Sequence, residues 1–189
     1  MTKKDNVQMA HLFDATRCIG CSACITACLE TNHPELVERD IPGHHWLGSN
    51  IRRITLERAK RPAMLLVQCQ HCSDAPCVKT CPFGANWRDP ETGLIKTDES
   101  LCVGCSYCVA SCPYDVRWTH PDTGVPMKCM GEGCEALVKA GKSPACVAAC
   151  PVSARAFGNV NDPESAISKR IAVSKTEKLL PHKGTKPNF

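Results

Sequence analysis

Apolar residues occur along this chain in short runs rather than in long stretches. The longest run, residues 63–67, is far shorter than the roughly 20 residues that a membrane-spanning helix needs. Short apolar stretches at cysteines predict brief helices over residues 25–31, 78–81 and 109–112, with another over residues 135–140. A last helix is predicted over residues 163–178, because Asp162 suits its N-cap and Pro163 its first position.

Two turn motifs of the form Pro-x-Thr-Gly lie in the middle of the chain, at residues 90–93 and 121–124. Each follows a tryptophan three residues earlier, Trp87 in the first case and Trp118 in the second. Proline and glycine at these positions favour β-turns. Each motif is therefore predicted to join two short strands, and the strand after the first turn should reach residues 94–97.

Composition changes this picture, because 16 of the 189 residues are cysteines. Small secreted proteins reach such a density with disulfides. Here, however, residues 1–10 are polar, carry Lys3, Lys4 and Asp5, and have neither an apolar core nor a cleavage-site pattern, so no secretory signal is predicted. In the reducing cytosol, clustered cysteines are more often metal ligands than disulfides.

The cysteines form four groups, and none is left over. Group one is Cys18, Cys21, Cys24 and Cys28; group two is Cys69, Cys72, Cys77 and Cys81; group three is Cys102, Cys105, Cys108 and Cys112; group four is Cys129, Cys134, Cys146 and Cys150. A proline follows the last cysteine of groups two, three and four, whereas Leu29 follows that of group one.

The spacing within groups one and three is typical of [4Fe–4S] ligation. Three cysteines at intervals of three can wrap around a cubane, and Gly20 and Gly104 let the backbone approach it closely. The fourth cysteine lies one helical turn further on, and in two-cluster bacterial ferredoxins it ligates the other cluster. Zinc sites favour paired Cys-x-x-Cys motifs, and disulfides inside such loops are disfavoured. Sixteen ligands, at four per cubane, predict four [4Fe–4S] clusters.

The formal charge of +4 does not indicate a nucleic-acid partner. A [4Fe–4S] core with four thiolates carries about −2 when oxidised, so four clusters bring the chain to roughly −4. Many of the 23 lysines and arginines are then expected to balance cluster charge. No basic run is interleaved with aromatic residues, and no phosphate-binding loop or nucleophile motif is present. We therefore predict no nucleic-acid partner, no direct small-molecule substrate and no catalysis by this chain.

The chain also repeats itself, since Asp14 precedes group one as Asp98 precedes group three. Two pairings of the groups into ferredoxin modules are open from spacing alone. Groups two and three, separated by only 20 residues, can form one module that groups one and four flank. The alternative is two sequential modules, the first from groups one and two and the second from groups three and four.

The four groups, their order and the tail at residues 179–187 (Leu-Leu-Pro-His-Lys-Gly-Thr-Lys-Pro) resemble one family over nearly the whole chain. This family is the four-cluster electron-transfer (beta) subunit of dimethyl-sulfoxide-reductase-type molybdenum enzymes, and polysulfide, thiosulfate and tetrathionate reductase subunits look most similar. The resemblance implies four ligand sets: Cys18, Cys21, Cys24 and Cys150; Cys28, Cys129, Cys134 and Cys146; Cys69, Cys72, Cys77 and Cys112; and Cys81, Cys102, Cys105 and Cys108.

Group four departs from the family pattern at its start. Relatives usually have Cys-x-x-Cys there, whereas Cys129 and Cys134 are two residues further apart. Gly131 and Gly133 lie between them and are expected to let this loop bulge without strain.

The resemblance implies an α+β fold of two nested bacterial-ferredoxin-like modules, a duplicated 2×[4Fe–4S] ferredoxin fold with long loops and a C-terminal arm. The outer module would comprise residues 1–68 and 113–160, the inner module residues 69–112, and the arm residues 161–189.

The function that the resemblance implies is a non-catalytic relay in an oxidoreductase complex of anaerobic respiration. Electrons would pass through four [4Fe–4S] clusters between a molybdopterin-containing catalytic subunit and a membrane quinone-reactive or cytochrome partner. The missing signal predicts a cytoplasmic, peripheral location, although subunits of this family can be exported with a signal-bearing partner. The alternatives are the relay subunit of a hydrogenase or formate–hydrogen complex, a free polyferredoxin, and a structural zinc protein.

A few other residues have two interpretations each. His71, beside Cys72, either donates a hydrogen bond to sulfur or lies at the surface. Trp87 and Trp118 are expected to pack small cores, with a place along the electron path as the alternative. The tail, residues 175–189, has too few apolar residues to fold alone, so it either wraps a partner subunit or is disordered in isolation.

Two polar segments between groups one and two are candidates for partner contacts. They are His44-His45-Trp46 and a basic stretch that contains Arg52, Arg53, Arg58, Lys60 and Arg61. The first is interpreted as a solvated loop. The second suits an acidic partner and a solvated surface equally well.

Overall fold

The fold was obtained as a computed structural model, which describes residues 7–39, 49–56 and 63–188. The strands are β1 (Met9–Phe13), β2 (Arg52–Leu56), β3 (Ala63–Val67), β4 (Asn86–Arg88), β5 (Ile95–Thr97), β6 (Trp118–Thr119), β7 (Pro126–Met127) and β8 (Arg155–Asn159). The helices are α1 (Ala23–Asn32), α2 (Pro76–Lys79), α3 (Tyr107–Ala110), α4 (Glu132–Lys139), α5 (Ala145–Ala148) and α6 (Ala166–Ala172), and 3-10 turns lie at Pro34–Leu36 and Pro181–Lys183. Among these described residues, no helix has the length and apolar character needed to cross a membrane.

The strands form four separate antiparallel pairs, β1 with β8, β2 with β3, β4 with β5, and β6 with β7. The first of these pairs joins the two ends of the chain, with Met9 opposite Asn159 and Phe13 opposite Arg155. Helix α1 packs against α5 and α4, and α2 packs against α3. These contacts bring the first cysteine group next to the last, and the second next to the third.

The predicted internal repeat is present in the backbone. Asp14 accepts a hydrogen bond from the amide two residues later at 3.0 Å, and Asp98 does the same at 2.9 Å. Gly20 and Gly104 then adopt φ angles of 70° and 69°, a conformation that favours glycine. In both copies the chain enters a helix directly after this turn, so the two loops have the same local geometry.

The two Pro-x-Thr-Gly motifs form the predicted hairpin turns. The amide of Gly93 donates to the carbonyl of Asp89 at 2.8 Å, and the amide of Gly124 donates to that of His120 at 2.9 Å. These turns join β4 to β5 and β6 to β7. The strand predicted to reach residues 94–97 is β5.

The helices at the cysteine groups lie close to their predicted positions, but the last helix is shorter than predicted and has another N-cap. Helix α6 begins after Ser165, whose hydroxyl accepts a hydrogen bond from the amide of Ser168 at 3.2 Å. Asp162 accepts instead from the amide of Glu164 at 3.0 Å and so stabilises a turn. The prediction of Asp162 as N-cap was wrong because two capping side chains lie three residues apart, and the second is used.

Of Trp87 and Trp118, only Trp118 belongs to a core. Trp118 is buried against Leu29 and Leu36, as predicted. The same prediction for Trp87 was wrong, because 40% of this residue is exposed on the hairpin of β4 and β5. The ammonium of Lys96 lies 5.9 Å from its ring centroid, which is within the range of a cation–π contact.

The tail packs against the second cysteine group of its own chain. Thr185 is buried, and its hydroxyl lies 2.5 Å from that of Tyr114. The amide of Asn188 donates to the carbonyl of Gln70 at 2.9 Å. Disorder of this part of the tail, one of the two alternatives from sequence, is therefore wrong for residues 184–188. That the tail contacts a partner subunit stays a prediction.

Candidate metal centres

All sixteen cysteines lie among the described residues, where none forms a disulfide, and the fold gathers them into four sets. Site A is Cys18, Cys21, Cys24 and Cys150; site B is Cys28, Cys129, Cys134 and Cys146; site C is Cys69, Cys72, Cys77 and Cys112; site D is Cys81, Cys102, Cys105 and Cys108. These combinations are the ones that the resemblance implies. That each set ligates one cluster stays a prediction.

Sites A, C and D are each built around a small cavity that their four cysteines line. Four thiols around each of three similar cavities fit the same kind of thiolate-bound metal group at each site.

Site B lies deepest, and all four of its cysteines are buried. In their ionised forms Cys28, Cys134 and Cys146 each repel Cys129, so the four thiols are electrostatic neighbours. The amide nitrogen of the Asn32 side chain lies 3.6 Å from the Cys28 sulfur and 3.4 Å from the Cys134 sulfur. This side chain therefore spans two ligand positions of the site.

The longer spacing at the start of group four is accommodated by a helix rather than by a bulging loop. Helix α4 begins between the first two cysteines of the group, so Cys134 lies within its first turn. A Cβ at Gly131 would lie 2.5 Å from the side-chain oxygen of Asn32, and one at Gly133 would overlap the backbone of Thr31. The expected reason for these glycines was therefore wrong. They are needed because α4 packs directly against the end of α1.

Burial keeps several of these thiols protonated in the absence of a metal group. It raises the pKa of Cys28 and of Cys72 to about 12, and it raises that of Cys129 well above the ordinary value. Iron binds the thiolate form, so a cationic iron–sulfide core must supply the positive charge that stabilises four thiolates together. Ionisation of all four thiols at one site therefore requires a cationic group bound between them.

A buried guanidinium at site C supports the same conclusion. Arg117 lines the cavity of site C and is 2% exposed. Among the described residues, neither of its terminal nitrogens has a nitrogen or oxygen hydrogen-bond partner. An uncompensated buried charge is strongly unfavourable. A [4Fe–4S] group with four thiolates is an anion, and in this cavity it would compensate the guanidinium.

Some residues that contact the sulfurs lie outside the cysteine motifs. The side-chain amide of Gln68, fully buried, lies 3.6 Å from the Cys129 sulfur, and Nε2 of His11 lies 3.7 Å from it. His11 comes from β1, more than a hundred residues away, and only the pairing of β1 with β8 brings it near. No feature of the sequence marked it as a residue of the site. Gln68 had a clearer signal, because it directly precedes Cys69.

His71 is 1% exposed, so the surface interpretation was wrong. Its Nδ1 accepts a hydrogen bond from the amide of Ile95 at 2.9 Å, which leaves the ring proton on Nε2. Nε2 is buried and has no hydrogen-bond partner among the described residues. Burial also lowers the pKa of His71 well below 6.5, so the ring is neutral. A hydrogen bond from Nε2 to a cluster sulfur stays a prediction.

A second set of metal-binding residue types, His33, Glu35 and His120, is better explained by hydrogen bonds. The indole of Trp118 donates to Oδ1 of Asn50 at 3.0 Å, so the Asn50 amide donates to Nε2 of His33, 3.1 Å away. His33 therefore carries its proton on Nδ1, the nitrogen that faces Glu35, and this nitrogen cannot also bind a metal. The group is a structural network behind β6.

The polar segments between groups one and two are only partly described. Arg52 and Arg53 lie on β2, where Arg52 forms an ion pair with Asp115 and Arg53 is exposed. The remaining basic residues of this stretch, Arg58, Lys60 and Arg61, lie outside the described residues, as do His44, His45 and Trp46.

Comparison with protein families gives two matches, both described as a 4Fe-4S dicluster domain. One covers residues 62–160, which is more than half of the chain, and the other covers residues 17–85. The two matches overlap across the second cysteine group. Together they extend over all four groups.

Among curated proteins, the chain is 39% identical to Protein NrfC of Escherichia coli, over 98% of this chain and 80% of the relative. It is 36% identical to a sulfite dehydrogenase subunit of Allochromatium vinosum, over 95% and 80% of the two chains. It is 43% identical to the thiosulfate reductase electron transfer subunit PhsB of Salmonella typhi, over 83% and 79%. The similarity therefore spans most of each chain.

Proposed function

This chain belongs to the 4Fe-4S dicluster family and is related to iron–sulfur electron-transfer subunits, and from that premise we propose that it is a four-cluster electron relay. In this proposal each of sites A to D holds one [4Fe–4S] cluster. The sixteen cysteines are the iron ligands, and the clusters supply one-electron redox chemistry. The four cysteine sets lie one after another in a single row, a file of sites, and both ends of this file lie at the surface. This arrangement is the observation that carries the proposal.

The order of the sites follows from short helices that connect them in pairs. Cys24 of site A and Cys28 of site B lie one turn apart on α1, about 6 Å along its axis. The short helices α2 and α3 lead in the same way from site C to site D, with Cys77 of site C inside α2 and Cys81 of site D just after it. Site B adjoins site C, because Cys69 is among the electrostatic neighbours of Cys129. The resulting order is A, B, C and D.

The exposure of the cysteines supports this order, with sites A and D at the two ends of the file. Cys21 of site A and Cys105 of site D are the exposed cysteines, whereas every cysteine of site B is buried. An electron can therefore enter or leave at A and at D, while B and C are insulated by protein. The chain's own residues hold the clusters, exclude water and orient donors toward sulfur; no proton needs to move.

We also propose two partners, one for each end of the file. Apolar side chains are exposed beside both end sites: Ile19 at site A, and Phe83, Val103 and Tyr107 at site D. Relatives that are subunits of a sulfite dehydrogenase and a thiosulfate reductase support an oxidoreductase complex. The proposed partners are a molybdopterin-containing catalytic subunit and a membrane quinone-reactive or cytochrome subunit, and the chain itself would be non-catalytic.

The nested division into modules is part of this proposal. Pairing of β1 with β8 and packing of α1 on α5 support an outer module from residues 1–68 and 113–160. Packing of α2 on α3 supports an inner module from residues 69–112. The arm, residues 161–189, would cover both, since α6 packs on β8 and the end of the tail packs on site C.

Anaerobic purification of the native complex tests the proposed function. Iron, molybdenum, tungsten and nickel would be measured in the sample that contains this chain and whatever remains bound to it. The proposal predicts a larger partner that contains molybdenum or tungsten. Nickel in the partner would indicate the hydrogenase branch instead. Iron in a chain that purifies without any partner would indicate a free polyferredoxin, and both of these outcomes contradict the proposed partners.

A further inference from the structure

Three cationic side chains are buried among the cysteine sites: Arg117, Lys128 and Arg155, with exposed fractions of 2%, 7% and 3%. They are the buried lysines and arginines of the described part of the chain. Within that part, neither Arg117 nor Lys128 forms an ion pair with a carboxylate. A buried cation normally has an anionic partner. For Arg117 and Lys128, the thiolate-bound clusters of the proposed function would supply these anions.

Each cation lies at a junction between two consecutive sites, and Arg155 lies between A and B. It lines the cavity of site A, and its guanidinium hydrogen-bonds to the side chain of Gln68. The amide of Gln68 in turn contacts the sulfur of Cys129 in site B. Its charge also interacts with Cys24 of site A and Cys146 of site B.

Arg117 and Lys128 occupy the other two junctions. Arg117 lines the cavity of site C, and its charge interacts with Cys77 of that site and with Cys108 of site D. Lys128 donates to the carbonyl of Cys129 in site B at 3.3 Å, and its charge interacts with Cys69 and Cys77 of site C. There is thus one cation at each of the three junctions, A to B, B to C and C to D.

The positions of Arg117 and Lys128 beside the hairpin of β6 and β7 indicate that nearby negative charge stabilises them. Trp118 pairs with Met127, the pair of the hairpin of β6 and β7 that lies furthest from its turn. Arg117 and Lys128 are the next residues along the two strands, so they face each other. Two like charges facing each other across a hairpin destabilise it. The pair is favourable only if anions lie beside it on both sides, which clusters at B, C and D would provide.

We propose that Arg155, Lys128 and Arg117 are junction cations that raise the reduction potentials of the two clusters beside each of them. The inference rests on the proposed four-cluster relay. When a cluster takes up one electron, its core passes from the 2+ to the 1+ state and the site gains one negative charge. A fixed positive charge between two such sites stabilises the reduced form of either. It also weakens the repulsion between electrons on neighbouring clusters.

The test uses Arg117→Gln in the full chain, purified anaerobically with its bound partners. Arg117→Lys is the control that preserves the charge. Arg53→Gln, on the exposed face of β2, is the surface control. Iron and sulfide are measured first, and midpoint potentials then follow from redox titration monitored by electron paramagnetic resonance. Arg117→Gln is expected to keep about sixteen irons. The midpoint potentials of two of the four clusters should fall. The fall should correspond to at least a tenfold change in the equilibrium constant for reduction, which is about 59 mV for one electron.

The expected pattern is specific to a junction charge. Arg117→Lys should restore most of the shift, and Arg53→Gln should leave all four potentials unchanged. Arg155→Gln should lower a different pair of potentials from Arg117→Gln. Unchanged potentials with intact clusters, or an equal fall of all four, would overturn the inference.

If Arg117→Gln loses iron, the iron content of Arg117→Lys shows whether the positive charge is required. If Arg117→Lys keeps the iron that Arg117→Gln loses, the positive charge is required for assembly, and the redox titration of Arg155→Gln then decides the inference: it holds if two potentials fall and fails if none does. If both variants lose it, the side chain acts through its shape and the inference fails. A wild-type chain with far fewer than about sixteen irons would instead overturn the four-cluster proposal itself, so the two failures are distinguishable.

Discussion

Gly133→Ala should remove the cluster proposed at site B, because the added methyl group has no space between α4 and α1. A Cβ at this position would lie 2.9 Å from the carbonyl carbon of Thr31 and would overlap its oxygen. An ordinary contact begins at 3.4 Å, so the helices must separate by at least about 0.5 Å. Because Cys28 lies on α1 and Cys134 on α4, this separation exceeds the roughly 0.2 Å tolerance of metal–ligand distances.

The assay is iron and acid-labile sulfide per chain, together with the electron paramagnetic resonance spectrum of the reduced protein. Gly133→Ala should lose about four irons, with the signals of the other three clusters retained. Gly84→Ala is the matched control. Gly84 has a φ of 66° but open space around its Cβ position, so alanine there brings backbone strain of about 1 kcal/mol without overlap. A Gly133→Ala chain with the wild-type iron content and spectrum would refute the packing argument.

Three further predictions concern other parts of the molecule. Cys150→Ser should remove iron from site A only, a loss of about one to four irons; loss of the signals of the interior sites would contradict the assignment of Cys150. Trp118→Phe removes a buried hydrogen bond at a cost of about 1–3 kcal/mol, and should lower the apparent Tm by about 2–4 °C per kcal/mol. The exposed Trp87→Phe should change it little, and equal effects of the two would contradict this reasoning. Burial lowers the pKa of His33 below its ordinary 6.5, so its contribution to stability is present above pH 6.5 and lost as the pH falls through the folded-state pKa. His33→Gln should therefore flatten the fall in Tm on acidification, whereas a flattening by the exposed His182→Gln as well would argue against His33 as the source.

The cysteine spacing identified the sixteen candidate ligands, because ligand intervals and short helices are local properties of a sequence. The four sets themselves were implied only by the resemblance to the family. The repeated turns at Gly20 and Gly104 were equally predictable, since the positive φ they adopt is a local demand of the tight loop. Gly131 and Gly133, between the first two cysteines of group four, also stand out in the sequence. The reason for them was not predictable, because the packing of α4 on α1 depends on a contact across more than a hundred residues.

Long-range contacts account for the other features that the sequence did not reveal. The buried cations Arg155, Lys128 and Arg117 are isolated in the sequence and belong to no motif. The pairing of β1 with β8 and of β6 with β7 positions them at the junctions. The burial of His71 follows likewise from packing against β5. Trp87 and Trp118 occupy equivalent repeat positions, yet only Trp118 is covered, since Leu29 and Leu36 lie over the second hairpin.

Occupancy of the four cysteine sets by four cubane clusters is tested by the ratio of iron, acid-labile sulfide and zinc to chain in one anaerobic sample. The relay predicts about sixteen irons and about sixteen sulfides per chain, with zinc near zero. About four zinc ions without sulfide would contradict it, because the sites would then be structural tetrathiolate centres. About eight irons with eight sulfides would show that only two of the four cysteine sets hold clusters, and the file from site A to site D would be broken.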